Sequence, residues 1–267
     1  MLAVVVVVGA AQAPSTPPYE TLFYKHDGLT LETYLYVPDG PGPFPMVVYN
    51  HGSVAAGKER EEWPSPYIAR LVVPAGYALL VPERRGYGKS EANTFAHDIG
   101  QDRGPRFVAR LGAEAGDVNA AVDFVVRTNS RIDAKRVVNM GYSFGGIVTT
   151  LAAANGGSRY AAVMLQAPGA LNWLRSADLR VALTNAAAKI HRPIMCVVAE
   201  NDATTESAEK ICAAAKAAGA AATVKIYPPY NSGQERPGNA PGHALFGPMG
   251  LNIWRDDALA FLKSATR

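Results

Sequence analysis

The chain has no basic stripe. Its 26 Lys+Arg and 23 Asp+Glu are scattered over 267 residues, with a formal net charge of +3. A surface that tracks phosphates needs clustered cations, so nucleic acid is not an expected partner. Cysteine is scarce. Cys196 and Cys212 are the whole complement, and they suit either one disulfide or two small buried hydrophobes. CxxC and HExxH spacings are absent, so no metal site is expected. Long apolar runs are lacking too. The first thirteen residues, MLAVVVVVGAAQA, are too short to span a bilayer. Their apolar run and A-x-A end read as a secretory signal that lacks its charged start, with export to the periplasm or beyond. A buried N-terminal strand, which the five consecutive valines favour, is the alternative to that signal. Internal repeats and low-complexity linkers are missing, which leaves residues 14–267 as one expected domain.

What is present is enough apolar material, 48% of the residues, to bury the core of a single α/β domain acting on a small molecule. YETLFYKH and LTLETYLYVP flank Asp27-Gly28 and predict an antiparallel hairpin. PMVVYN, YALLVPE, RVVNMGY, AAVMLQ, PIMCVVAE and TVKIYP are short apolar runs suited to a mostly parallel sheet. Helical stretches alternate with them: IARLVVPAG, AGDVNAAVDFVVRT, GGIVTTLAAA, ESAEKICAAAKAAG and IWRDDALAFLKSA. The alternation predicts a doubly wound, mostly parallel eight-stranded sheet with helices on both faces. Ligands of such sheets sit at the carboxyl ends of the strands.

GYSFGG, from Gly141 to Gly146, stands where one of these strands ends and a helix begins. The chain must turn sharply there, with Ser143 at the apex in a strained conformation. Gly141 and Gly145 make room for the neighbouring strand and helix. G-x-S-x-G alone is a weak pattern, but its strand-turn-helix setting makes Ser143 a candidate nucleophile. A serine hydroxyl is a poor nucleophile unaided, so a base, an orienting carboxylate and an oxyanion site are also required.

Each has a candidate. Asp202 follows the strand PIMCVVAE, with Glu200 as a substitute acid and an N-cap as its alternative role. His243 lies in the Gly/Pro-rich loop before the last helix. The other histidines fit less well. His26 is in the hairpin, His191 precedes a strand at the wrong edge of the sheet, and His97 breaks the Ser-Asp-His order. The oxyanion donors are expected to be the backbone amides of Phe144 and of Ser53, in the His51-Gly52-Ser53 loop after PMVVYN. Tyr142, Trp173, Trp63 and Phe246 are candidates for the substrate pocket, or for core packing.

YNHGS, ERRGYGKS, GYSFGG, AENDATT and GHALF follow one another in an order that resembles the α/β-hydrolase superfamily. Within it the chain is most similar to dienelactone-hydrolase-like and peptidase-like serine esterases with a minimal cap. One departure stands out. The resemblance implies a cysteine nucleophile for dienelactone hydrolases themselves, whereas this elbow holds Ser143. The implied activity is cleavage of a carboxylic ester through an acyl-enzyme, without a cofactor. Arg84 or Arg85 in ERRGYGKS is implied to pair with a carboxylate. A serine peptidase or amidase, whose relatives usually add a gating domain, and a non-catalytic binding protein of the same fold are the alternatives. The stretch from Ala167 to Arg192 has room for one helix and a loop containing Trp173 as partial cover, which predicts a preference for short acyl chains.

Overall fold

The computed structural model describes residues 15–55, 57–233 and 238–267. The N-terminal segment read as a signal or a strand lies outside them. Eight strands form one sheet: β1 (Glu20–His26), β2 (Leu29–Tyr36), β3 (Phe44–Asn50), β4 (Ala78–Glu83), β5 (Ile132–Tyr142), β6 (Ala162–Gln166), β7 (Ile194–Ala199) and β8 (Ala222–Tyr227). Their spatial order is β1-β2-β4-β3-β5-β6-β7-β8. β1 to β2 and β2 to β4 run antiparallel, and every later pair is parallel. The α/β expectation therefore holds, with all eight strands where their apolar runs stand. At the first hairpin, His26 pairs with Leu29 while Asp27 and Gly28 take φ of 49° and 76°. Positive φ at both turn residues matches the twist of the strands.

Among the described residues, eight α-helices pack around the sheet: α1 (Pro66–Val72), α2 (Phe95–Ile99), α3 (Pro105–Thr128), α4 (Phe144–Asn155), α5 (Ala170–Arg175), α6 (Ala177–Ala187), α7 (Glu206–Ala217) and α8 (Leu251–Ala265). Strand residues alternate between two buried clusters. Val48, Leu80, Val137 and Leu165 join α3, α4, α6 and α7 on one face. Val47, Leu79, Val138 and Met164 join α1 and α8 on the other. This alternation follows from the two-residue period of a strand buried on both faces.

Three differences from the sequence reading are informative. α3 begins at Pro105, ten residues before the expected start, because Pro105 at its first turn costs no hydrogen bond. The Ala167–Arg192 stretch forms two helices, α5 and α6, rather than one helix and a loop. α6 packs on α3, α4 and α7 in the core instead of covering the carboxyl edge. Of the two readings that the sequence left open for the cysteines, the structure has the disulfide, between Cys196 on β7 and Cys212 on α7. Among the described residues, no helix is long and apolar enough to cross a membrane.

Candidate active site

β5 ends at Tyr142 and α4 starts at Phe144, so Ser143 alone makes the turn. Its backbone lies at φ 56°, ψ −117°, a region that side chains rarely adopt. Four hydrogen bonds hold it there. Its N–H donates to the Gln166 carbonyl, and its own carbonyl accepts from the N–H groups of Gly146, Ile147 and Gly169. The tight turn also needs Gly145, because a methyl group at that position would collide with the Asn50 carbonyl.

Two loops from distant parts of the chain meet this serine. Asp202 follows β7 and is fixed by its own N–H bond to the Ala199 carbonyl. Asn201 ties the same turn to Tyr230, accepting from its N–H and donating to its carbonyl. His243 sits in a short 3-10 helix, Pro241–Phe246, and its ring is nearly buried. Nδ1 of His243 lies 2.9 Å from Oδ2 and 3.1 Å from Oδ1 of Asp202, while Nε2 lies 2.8 Å from Ser143 Oγ. A carboxylate only accepts, so Nδ1 donates to Asp202, and Nε2 is left to accept the serine proton. Glu200 is exposed, and α7 is capped at Thr205 rather than at Asp202. A hydroxyl, an imidazole and a buried carboxylate in this order can generate an alkoxide as a carbonyl carbon approaches.

The other candidates divide. Gly52 approaches so closely that a methyl group on it would lie 3.4 Å from Ser143 Cβ, and Ser53 lines the cleft beside the serine. Phe144 opens α4, and the first amides of a helix have no partner within it. Tyr142 and Trp63 also line the cleft. Trp173 and Phe246 do not. Trp173 is buried in the core on α5, its Nε1 donating to Glu206 Oε2 at 3.1 Å. Phe246 is buried against Tyr227, Trp254 and the ring of Tyr142. Apolar burial outweighs proximity to the sheet edge for these two large rings.

The cleft has a volume of about 840 Å³. Its walls come from the segment between β3 and α1, with Trp63, from the start of α1, with Pro66 and Tyr67, and from Asn239 to Met249. No residue of α5 or α6 lines it, which corrects the expected source of cover. Sequence reasoning did not single out Tyr67, Tyr49 or Arg70, which also line it. It also missed the hydroxyl of Tyr142, which donates to the His243 carbonyl at 2.7 Å. Among the described residues, no group of three or more His, Cys, Asp or Glu side chains is placed to hold a metal ion.

Beneath the cleft, charges are buried in pairs. Arg84 Nε binds Glu114 at 2.9 Å with both side chains fully buried, and Arg85 binds Asp117 at 2.7 Å. The resemblance implied a carboxylate partner for one of the two arginines of ERRGYGKS, and both have one. Burial pushes the Glu83 carboxyl up to about 8, with Arg84 opposing and Glu32 adding to the rise. Burial and the nearby Arg84 hold His51 well below the usual imidazole range.

Comparison with known proteins agrees with this architecture. The chain is 34% identical over 151 residues to the quorum-quenching protein AidA of Acinetobacter baumannii (strain MDR-ZJ06). That match covers 57% of this chain and 44% of AidA, so the chain spans less than half the length of this relative. An acylaminoacyl peptidase of Pyrococcus horikoshii superposes with a TM-score of 0.69 at 14% identity, over 94% of this chain and 42% of the peptidase. The Pyrococcus furiosus esterase Pf2001 gives 0.66 at 16% identity, over 94% of both chains. At such identities these two structures share the fold. The model of the dienelactone hydrolase family matches residues 31–234, a span that holds the serine turn and Asp202. On that match, over more than half of its length, the chain belongs to the dienelactone hydrolase family.

Proposed function

We propose that the chain is a serine esterase that cleaves carboxylic esters with short acyl groups. The observation that carries the reading is the continuous path from Ser143 Oγ through His243 to Asp202, with links of 2.8 and 2.9 Å, at the wall of an open cleft. Ser143 Oγ attacks the ester carbonyl and passes its proton to His243 Nε2. Asp202 holds the imidazole tautomer and stabilises the imidazolium. The amides of Phe144 and Ser53 receive the oxyanion. His243 then gives the proton to the leaving alcohol. Water, activated by the same imidazole, releases the acid and restores the serine.

Substrate size is inferred from the walls of the cleft. They are the segment before α1, the first turns of α1 and the stretch around His243 rather than an inserted helical cap, and Trp63, Tyr67 and Met249 supply apolar area for a small acyl or aromatic group. Methylenes of a long chain that project beyond these walls stay in water and gain none of the roughly 0.8 kcal/mol that each buried CH₂ provides.

The test is p-nitrophenyl acetate with the wild type and Ser143→Ala. Turnover should disappear while the circular dichroism spectrum is unchanged, and substantial residual hydrolysis overturns the assignment. The same relay cleaves amides, so a matching p-nitroanilide separates esterase from amidase. We also propose export, with residues 1–13 as the signal. The Cys196–Cys212 disulfide supports it, because such bonds persist in oxidising compartments. N-terminal sequencing of the mature protein from a periplasmic extract is its test, and an intact Met1 there overturns it.

A further inference from the structure

His51 has no part in the chemistry above, yet its ring is among the most constrained near the cleft. It is buried, packs edge-on against Tyr87 at 5.1 Å between centroids, and its carbonyl accepts from Arg84 Nη2 at 3.3 Å. Nδ1 of the ring lies 2.8 Å from the Gly52 carbonyl oxygen. A carbonyl only accepts, so Nδ1 carries the hydrogen and Nε2 keeps a lone pair. That lone pair faces Glu83 Oε2 at 3.7 Å. That separation is longer than a hydrogen bond, and the backbone of Trp63 is a donor close to the Glu83 carboxyl. The Glu83 carboxyl keeps its proton up to about pH 8, so the group facing that lone pair is a neutral acid with a proton to offer rather than a carboxylate that repels it.

The consequence lies one peptide farther on. In a trans peptide the carbonyl and the following N–H point to opposite sides. Drawing the Gly52 carbonyl onto His51 turns the Ser53 N–H the other way, and it is Gly52 that lies against Ser143. We propose that His51, bonded to the Gly52 carbonyl and facing the Glu83 carboxyl, is a positioning residue that sets the Gly52–Ser53 peptide so that the Ser53 amide meets the oxyanion. The inference rests on the serine-esterase reading and deepens it.

The arrangement is sensitive to pH. Above about pH 8 Glu83 becomes a carboxylate and offers no hydrogen to His51. The groups around it are Glu32 and Tyr34 on β2, His51 after β3, Glu62 before α1, and Arg84 and Lys89 after β4. The arginine opposes the rise in its titration and the acids reinforce it.

Purified full-length variants test this with p-nitrophenyl acetate. His51→Ala should lower kcat by about 10²-fold, near the loss of one oxyanion donor, with KM within about twofold. Affinity for a trifluoromethyl ketone, which mimics the oxyanion, should fall in parallel. Glu83→Ala should lower kcat in the same way. Glu83→Gln should restore it, because the amide N–H donates in place of the carboxyl, and should extend activity past the pH at which the wild type declines. A folded His51→Ala with wild-type kcat overturns the proposal, as does a Glu83→Gln variant with the wild-type alkaline decline. If His51→Ala does not fold, the Glu83→Gln profile decides alone. Turnover that survives Ser143→Ala sinks the esterase reading itself, whereas turnover lost there but untouched in His51→Ala sinks only the positioning role.

Discussion

Asp202 and Glu200 stand two residues apart after the same strand, and only one of them reaches the imidazole. Asp202 lies 2.9 Å from His243 Nδ1, with its side chain 1% exposed, while Glu200 is exposed. Asp202→Asn should therefore lower kcat by about 10⁴, as in the worked serine-protease case, because the amide favours the wrong tautomer. Glu200→Gln should leave the rate near that of wild type, and the reverse pattern in steady-state kinetics would reassign the acid. Tyr142 acts one step back from the chemistry. Its hydroxyl anchors the His243 carbonyl, so Tyr142→Phe should cost roughly 1 kcal/mol, about fivefold in kcat if all of it is felt in the transition state. An unchanged kcat would show that the 3-10 helix holds the histidine without that bond.

Between residues 196 and 212, β7, the Asp202 turn and α7 form one unit closed by the disulfide. A loop of that length loses roughly 3 kcal/mol of unfolded-state freedom when cross-linked. Replacing both cysteines by alanine should lower stability by about that amount in denaturant titration, and a loss near zero would show that packing of β7 on α7 suffices. This unit also shows what the sequence could and could not reveal. The strand PIMCVVAE was legible as an apolar run, and the order Ser143, Asp202, His243 was legible from the turns between elements. The pairing of the cysteines was not, because linear spacing alone does not set the distance between β7 and α7. α5 was missed for a similar reason. ALNWLR is short and follows Pro168-Gly169, and Trp173 was expected at the cleft because nothing local shows which side of the sheet it faces. His51 and Glu83 are 32 positions apart and meet only through the register of β3 and β4.

At the scale of the whole molecule, Glu83 couples the fold to proton concentration. The folded chain keeps its proton to about pH 8, whereas an unfolded glutamate releases it near 4.5. Stability from this group is full below about 4.5, falls as pH rises through that window, and is exhausted above about 8. The slope is about 1.4 kcal/mol per pH unit within the window. Glu83→Gln should remove this slope from denaturant titrations taken across it, and an unchanged slope would mean that Glu83 is ionised in the fold. The open cleft leads to a further expectation, kcat/KM for p-nitrophenyl acetate or butyrate above that for the palmitate. A clear preference for the palmitate would place a deep acyl channel behind the walls. The turn at Ser143 sets two demands on the molecule against each other. At φ 56°, ψ −117° a side chain costs of order 1–3 kcal/mol, and alanine bears that cost as much as serine. Glycine does not. Ser143→Gly should melt above Ser143→Ala and above the wild type, although both variants should be inert. Selection for heat resistance alone would therefore drift toward an inactive protein, and retention of the serine is something that only selection for turnover can enforce.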